Sequence, residues 1–251
     1  MLGCGTSSGV PRIGGDWGAC DPAQPRNRRT RASILVETQT TRILVDTSPD
    51  LREQLLAAGI AHIDAVIWTH DHADHCHGID DLRQVFHHRG SPVPGYAQAA
   101  AAEALEARFA YVFQGRGGYP PTATLTRLSG TTMIGDVRID TVDQPHGGIT
   151  SAGLRFESEA GRSVGYATDC SSLTDDMRRV YQGLDVWVVD ALRRAPHPSH
   201  PTLDAALGWI AELAPARAVL THMDQSMDYA QLVRTLPAGV EPAYDGLEIA
   251  L

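Results

Sequence analysis

Six short β-type runs, each ending on a polar side chain, constrain the fold of this 251-residue chain more than any other feature. Arg42-Ile43-Leu44-Val45 leads to Asp46, and Ala65-Val66-Ile67-Trp68 leads to Thr69-His70. Val137 to Val142 continues through Pro145 to His146, and Ser163 to Ala167 leads to Thr168-Asp169. Val186 to Val189 ends at Asp190, and Arg217 to Leu220 runs into Thr221-His222. Runs of about 4–6 residues rich in Val and Ile read as buried strands. Helical stretches lie between them: Pro49 to Ala58, closed by Gly59 as a C-cap; Ala97 to Phe109; and Leu203 to Leu213 behind a Thr202 N-cap. Alternating strands and helices give an α/β fold, and such folds gather their chemistry where the strands end.

One of those ends carries His70-Asp71-His72-Ala73-Asp74-His75, three imidazoles and two carboxylates within six residues. Imidazole nitrogen and carboxylate oxygen are the donors that Zn²⁺, Mn²⁺ and Fe²⁺ accept. Alternate residues of an extended stretch point the same way, so His70 and His72 can reach one ion. Asp74 and His75 diverge if the chain turns helical there, which suits a second ion.

His-x-His-x-Asp-His after a short apolar strand resembles the signature of the metallo-β-lactamase superfamily. The resemblance covers nearly the whole chain and implies a four-layered αβ/βα sandwich formed by one domain, residues 1–251. It also implies two divalent ions, Mn²⁺ or Zn²⁺ with Fe²⁺ as a further choice. His70, His72 and His146 would hold the first ion; Asp74, His75 and His222 would hold the second; Asp169 would bridge them. Two ions, two carboxylates and a bridging hydroxide sum to one positive charge, which favours an anionic substrate.

The glycine-rich opening Gly3 to Pro11, with Gly18-Ala19-Cys20-Asp21 and Asn27 to Ser33, is similar to the branch holding ribonuclease Z and the phosphoribosyl cyclic phosphate phosphodiesterases. No segment suits the tRNA-gripping arm of ribonuclease Z, so the cyclic phosphodiesterase side is favoured. That branch implies hydrolysis of a small, cyclic phosphodiester by the bridging hydroxide. His200, in Pro196-His197-Pro198-Ser199-His200-Pro201, would assist the leaving group, with His197 as the fallback. Asp74 would also orient the nucleophile. Common-class metallo-β-lactamases carry cysteine where this chain has Asp169; Cys170 comes one residue late, and a one-residue slip turns a strand-end side chain away. Cys76 and Cys170 are therefore expected to be packing residues. Some relatives hold a structural zinc near Cys20, but here Cys20 stands alone and position 225 is Gln225, so no third ion is expected. The competing readings are a glyoxalase-II-like thioesterase or lactonase using the same ligands, and a non-catalytic metal-stabilised binding protein.

Bulk properties narrow the partners. A formal charge of −9 argues against a stable nucleic-acid partner, whose protein footprint would be basic. Arg26, Arg28, Arg29 and Arg31 form a local exception, expected to be solvated or to rim a phosphate site. No apolar run approaches the roughly 20 residues of a membrane span, and Met1-Leu2-Gly3-Cys4 lacks the segments of an export signal. A cytoplasmic protein with reduced cysteines is the expectation. The chain opens almost inside its first expected strand, so a native start further upstream is an expectation. Gly and Pro crowd Gln114 to Pro121, so residues 89–127 are expected to hold either an insertion that caps the site or a plain surface excursion. A homodimer is admitted by analogy alone.

Overall fold

The structure, a computed structural model, describes residues 1–251. Its first sheet has the order β1 (Ile34–Glu37), β2 (Arg42–Val45), β3 (Ala65–Trp68), β4 (Val93–Ala97) and β5 (Ala123–Arg127). Only the β1–β2 pair is antiparallel. The second sheet contains β6 (Thr131–Ile134), β7 (Val137–His146), β8 (Ile149–Ser158), β9 (Ser163–Ala167), β10 (Val186–Asp190), β11 (Arg217–Thr221) and β12 (Val240–Pro242) as sequential neighbours. From β6 to β9 the pairing is antiparallel, and from β9 to β12 it is parallel.

Side-chain alternation explains why the sheets stack. Ile43 and Val45 of β2 pair with Ala65 and Ile67 of β3, and all four join a buried cluster with Ile139, Leu154 and Tyr166 of the second sheet. Leu44, Val66 and Trp68 point the opposite way. They pack with Leu51 and Leu55 of α1 (Leu51–Ala58), Leu82 and Val85 of α3 (Leu82–Arg89), Leu105 of α4 (Ala99–Arg108) and Val112 of α5 (Ala110–Gln114). On the second sheet, α6 (Asp175–Val180), α7 (Leu203–Leu213) and α8 (Tyr229–Thr235) bury Met177, Leu203, Ile210 and Leu232. Each such fully buried side chain is worth about 1.5–3 kcal/mol. The layers run helix, sheet, sheet, helix. One further turn of helix, α2 (Ala73–Cys76), follows β3 directly.

The anticipated strands fall where the sequence puts them, and β7 runs on to include His146 as its last residue. Gly147-Gly148 then closes a tight hairpin into β8, with Gly147 at φ 57°. Helix α1 ends at Gly59 in the left-handed conformation, and Thr202 Oγ1 accepts a hydrogen bond from Ala205 N at the start of α7.

Two segments are more ordered than their sequence suggests. Residues 89–127 are mostly regular, supplying β4, α4, α5 and β5 to the first sheet and its outer face; the irregular part is the short stretch between α5 and β5. Pro94 and Gly95 hid β4 from the sequence reading. Gly95 is required because Trp68 Cζ3 would lie 2.6 Å from any Cβ placed there. The arginine cluster is also not one solvated face. Arg29 is buried and donates to the carbonyls of Asp224 (3.2 Å) and Met227 (2.6 Å), while Arg31 pairs with Asp50 at 2.9 Å. Arg26 lies over the rings of Tyr244 and Tyr229, and Arg28 over Trp17.

Candidate metal centre

Parallel strands present their C-terminal ends at one edge. The residues just past β2, β9 and β11 turn sharply: Asp46, Asp169 and His222 have φ of 64°, 54° and 58°. Left-handed backbone is uncommon outside glycine, and it clusters where side chains must be aimed. Here it ends each strand abruptly and turns the functional group into a shared, buried space.

All seven residues expected from the sequence to ligate metal are brought together. Donor atoms of His70, His72 and His146 lie within 4.8 Å of one another, as do those of Asp74, His75 and His222. Asp169 stands between the groups: its Oδ1 is 3.5 Å from His146 Nε2 and 3.9 Å from His70 Nε2, and its Oδ2 is 3.1 Å from His75 Nε2 and 3.5 Å from His222 Nε2. Asp74 Oδ2 is 3.4 Å from His75 Nε2 and 3.5 Å from His222 Nε2. His70, His75, His146, Asp169 and His222 are buried, whereas His72 is exposed. Cys170 joins the hydrophobic core, as the one-residue slip required, and Cys76 packs in the outer cluster.

A second layer of groups fixes the rings. Asp46 accepts hydrogen bonds from Thr69 N (2.7 Å), Thr69 Oγ1 (2.8 Å) and His75 Nδ1 (2.7 Å). His70 Nδ1 lies 3.0 Å from Thr69 Oγ1, and His146 Nδ1 donates to Ser199 O at 2.9 Å. With Nδ1 protons engaged on their outer sides, His70, His75 and His146 present Nε2 inward. This is the arrangement by which outer carboxylates and carbonyls set the tautomer of a metal-binding histidine. The sequence reading missed Asp46 and Asp190; both end short apolar runs, the signal that marked the ligands themselves.

Nε2 of His70, His75 and His222 is buried yet makes no hydrogen bond of acceptable geometry. Buried imidazole nitrogens are normally paired, and a divalent ion is the partner that histidines and carboxylates at this spacing satisfy together. The residues therefore fit metal. The electrostatics agree. Burial would raise Asp169, but His222 and His75 outweigh it and hold the carboxyl well below its usual range; Asp74 is likewise depressed, chiefly by His75 and His222 against burial. Burial would lower His75 and His222, but Asp169 and Asp74 outweigh it, holding His75 well up and pushing His222 to about 9. Burial leaves His70 well below and His146 below the ordinary histidine value. Ionised acids thus face protonated histidines, and an ion binding there would displace those protons.

His200 enters the same space from the segment before α7. Its Nε2 is 3.8 Å from Asp169 Oδ1, and its ring stacks on His222 with centroids 4.8 Å apart. His197 stands further out, its ring 5.0 Å from that of His200. Beside Asp74 opens a cavity of about 640 Å³, lined by Ser7, Ser8, Arg12, Ile13 and Arg31. At the rim, Arg108 of α4 pairs with Asp71 inside the histidine motif.

Fold and site together define a class, and residues 41–223 match the β-lactamase superfamily domain. The chain belongs to that superfamily. Within it, a solved diphosphatase of the PhnP family is 37% identical, with a TM-score of 0.89 over 98% of this chain and 93% of the other, which places the chain in the PhnP family. An octanoyltransferase of Porphyromonas gingivalis is 32% identical over 99% of this chain, but the chain spans about half the length of that relative. Coenzyme PQQ synthesis protein B of Xanthomonas campestris is 27% identical over the whole chain and 99% of its own length. With its cluster of histidines and aspartates, the chain is a metal-dependent hydrolase of this superfamily. No helix is long and apolar enough to cross a membrane.

Proposed function

We propose that this protein is a phosphodiesterase that hydrolyses a small, cyclic phosphodiester with two divalent ions, Mn²⁺ or Zn²⁺, held by the seven residues above. The observation that carries the reading is Asp169, which lies within 4 Å of histidines from both three-residue groups while a non-ligating histidine, His200, faces it. Kinship with a PhnP-family diphosphatase supports a phosphorus centre rather than a carbon one.

His70, His72 and His146 would hold one ion, Asp74, His75 and His222 the other, with Asp169 shared. When bound, such ions supply Lewis-acid polarisation of a phosphoryl oxygen and acidify a water. The chain does the rest. Asp74, which lines the cavity, accepts a hydrogen bond from the attacking water and orients it towards phosphorus. His200, whose Nε2 lies 3.8 Å from Asp169 Oδ1, donates a proton from Nε2 to the departing oxygen. The part of the substrate not undergoing cleavage lies in the cavity beside Asp74, against the hydroxyls of Ser7 and Ser8 and the free end of the Arg31 guanidinium. Burial of His70, His75, His146, Asp169 and His222 limits the access of bulk water to their side of the site.

The test is turnover of bis(p-nitrophenyl) phosphate and 2′,3′-cyclic nucleotides by protein reconstituted with Mn²⁺ or Zn²⁺. Metal-dependent cleavage of the cyclic diesters is expected. Thioester or lactone turnover exceeding that of every diester would replace this reading with a carbon-ester hydrolase.

A further inference from the structure

We infer that Ile13 is a specificity residue: it packs against a neutral ring of the substrate and so selects cyclic phosphodiesters that carry a nucleobase over bare sugar phosphates. The inference rests on the phosphodiesterase reading and names the substrate class for that site.

Ile13 stands at the tip of a short turn whose roots are fixed. Val10 is buried and exchanges backbone hydrogen bonds with Arg29, each of 2.9 Å, and Ala19 N donates to Gln225 O at 2.9 Å. Between these anchors the chain folds back on itself. Arg12 N donates to Asp16 O, Gly15 N donates to Arg12 O, and Arg12 Nε donates to Asp16 Oδ2 at 2.8 Å. Gly14 and Gly15 have φ of 93° and 77°, which glycine adopts without strain. Nothing packs on the turn. Ile13 is fully exposed, joins neither core cluster, and a Cβ placed on Gly14 or Gly15 would meet no atom within 4 Å. The turn is therefore held by its own hydrogen bonds, and the isoleucine contributes nothing to the fold. A single apolar residue on a surface is ordinary. This one borders the cavity that also contains Asp74, a member of the ligand set.

The other residues of the cavity say what covers it. Ala73, next to Asp74 in the chain, and Pro49 are exposed and share the wall with Ile13, so apolar surface adjoins the reacting centre. Spare positive charge is scarce there. Arg12 is matched by Asp16, and Arg31 Nε lies 2.9 Å from Asp50 Oδ2. A second phosphate on the substrate would compete with these carboxylates, whereas an uncharged ring meets surface that gains from being covered. The hydroxyls of Ser7 and Ser8 can donate to or accept from the ring edge and the sugar hydroxyls. At about 640 Å³ the cavity falls within the size range of small-molecule sites, which accommodates a nucleoside.

The experiment compares 2′,3′-cyclic AMP with methyl β-D-ribofuranoside 2,3-cyclic phosphate, the same diester without its base. The metal-loaded, full-length parent, Ile13→Ser and Ile13→Leu are assayed on both. One methylene enclosed in an apolar pocket changes kcat/KM about 10–200-fold, and Ile13 is open to solvent, so the low end applies. Ile13→Ser is expected to lower kcat/KM on cyclic AMP ~10-fold, chiefly through KM, with less than ~2-fold change on the base-free diester. Ile13→Leu, which keeps the apolar bulk, should stay within ~3-fold of the parent. Equal loss on both substrates, no loss on either, or a parent that cleaves the base-free diester as well as cyclic AMP overturns the assignment. So does a 5-phosphate on the base-free diester that raises kcat/KM more than the base does.

A readout without turnover keeps the two readings separable. Adenosine 2′-monophosphate, which has no diester to cleave, is titrated into the Zn²⁺-loaded parent and Ile13→Ser, with methyl β-D-ribofuranoside 2-phosphate as the base-free control. Ile13→Ser should bind the nucleotide ~10-fold more weakly and the control as the parent does. Equal Kd values for the nucleotide overturn the contact. Weaker nucleotide binding by Ile13→Ser in a protein that cleaves no diester supports the base contact and removes the phosphodiesterase reading instead.

Discussion

Asp46→Asn tests whether the outer carboxylate sets the metal-facing tautomer of His75. Asp46 is fully buried, and its two oxygens take three hydrogen bonds: Oδ1 from Thr69 N, Oδ2 from Thr69 Oγ1 and His75 Nδ1. An amide of the same shape offers one acceptor oxygen. If that oxygen faces Thr69 N, the amide NH₂ faces the His75 Nδ1–H, and donor meets donor. If it faces His75, the buried Thr69 N–H loses its partner. The hydroxyl of Thr69 can rotate and accept, so one net donor is stranded either way. A stranded buried donor costs about 1–3 kcal/mol, and relief of burying the Asp46 charge, which raises its own pKa, offsets part of this. Metal-free Asp46→Asn should therefore be about 1–2 kcal/mol less stable in urea unfolding. The larger effect falls on metal. Without the Asp46 acceptor, the form of His75 that keeps its proton on Nδ1 and frees Nε2 for an ion loses its support. Loss of such outer partners typically weakens affinity about 10–100-fold, measurable by competition with a chromophoric chelator. Unfolding within ~0.5 kcal/mol of the parent together with affinity within ~3-fold would refute the tautomer argument.

Three further outcomes follow from local structure. Thr202→Ala removes the side-chain acceptor for Ala205 N at the start of α7 and should lower stability by about 1 kcal/mol in urea unfolding. Asp228 caps α8 and accepts from Asn27 Nδ2, Gln231 N and Asp21 N, which outweigh its burial and depress its pKa below 3.8. A depressed carboxyl stabilises the fold above its unfolded value and loses that contribution as pH falls through the folded one. The stability gap between parent and Asp228→Ala, about 1 kcal/mol at neutral pH, should therefore narrow as pH drops below 3.8 in chemical denaturation. Gly95→Ala drives a methyl into the Trp68 ring and the Thr124 carbonyl; thermal unfolding should report a loss of about 1–3 kcal/mol.

Much of the site was legible because its chemistry is written in contiguous or strand-terminal residues. The His70–His75 motif needs no tertiary information, and His146, Asp169 and His222 each follow a run whose strand character is plain. Asp46 and Asp190 end similar runs, but a lone aspartate after a strand is ordinary until its partner is seen across the fold. The pairing of Asp190 Oδ2 with His200 Nδ1, at 2.7 Å, depends on how the segment before α7 folds back, which no local pattern encodes. The fold was less legible at β4, where Pro94 and Gly95 suppress strand propensity, and at β8, whose Ser151-Ala152-Gly153 stretch carries little apolar signal. Arg29 ran against expectation for a different reason. Arginine is seldom buried unless paired, and its partners are the backbone carbonyls of Asp224 and Met227, far away in sequence.

Anomalous diffraction from crystals grown with Mn²⁺ or Zn²⁺ addresses the dinuclear centre most directly. Two peaks per chain are predicted, one among His70, His72 and His146 and one among Asp74, His75 and His222, both contacting Asp169. A single peak, or ions bound away from Asp169, would contradict it.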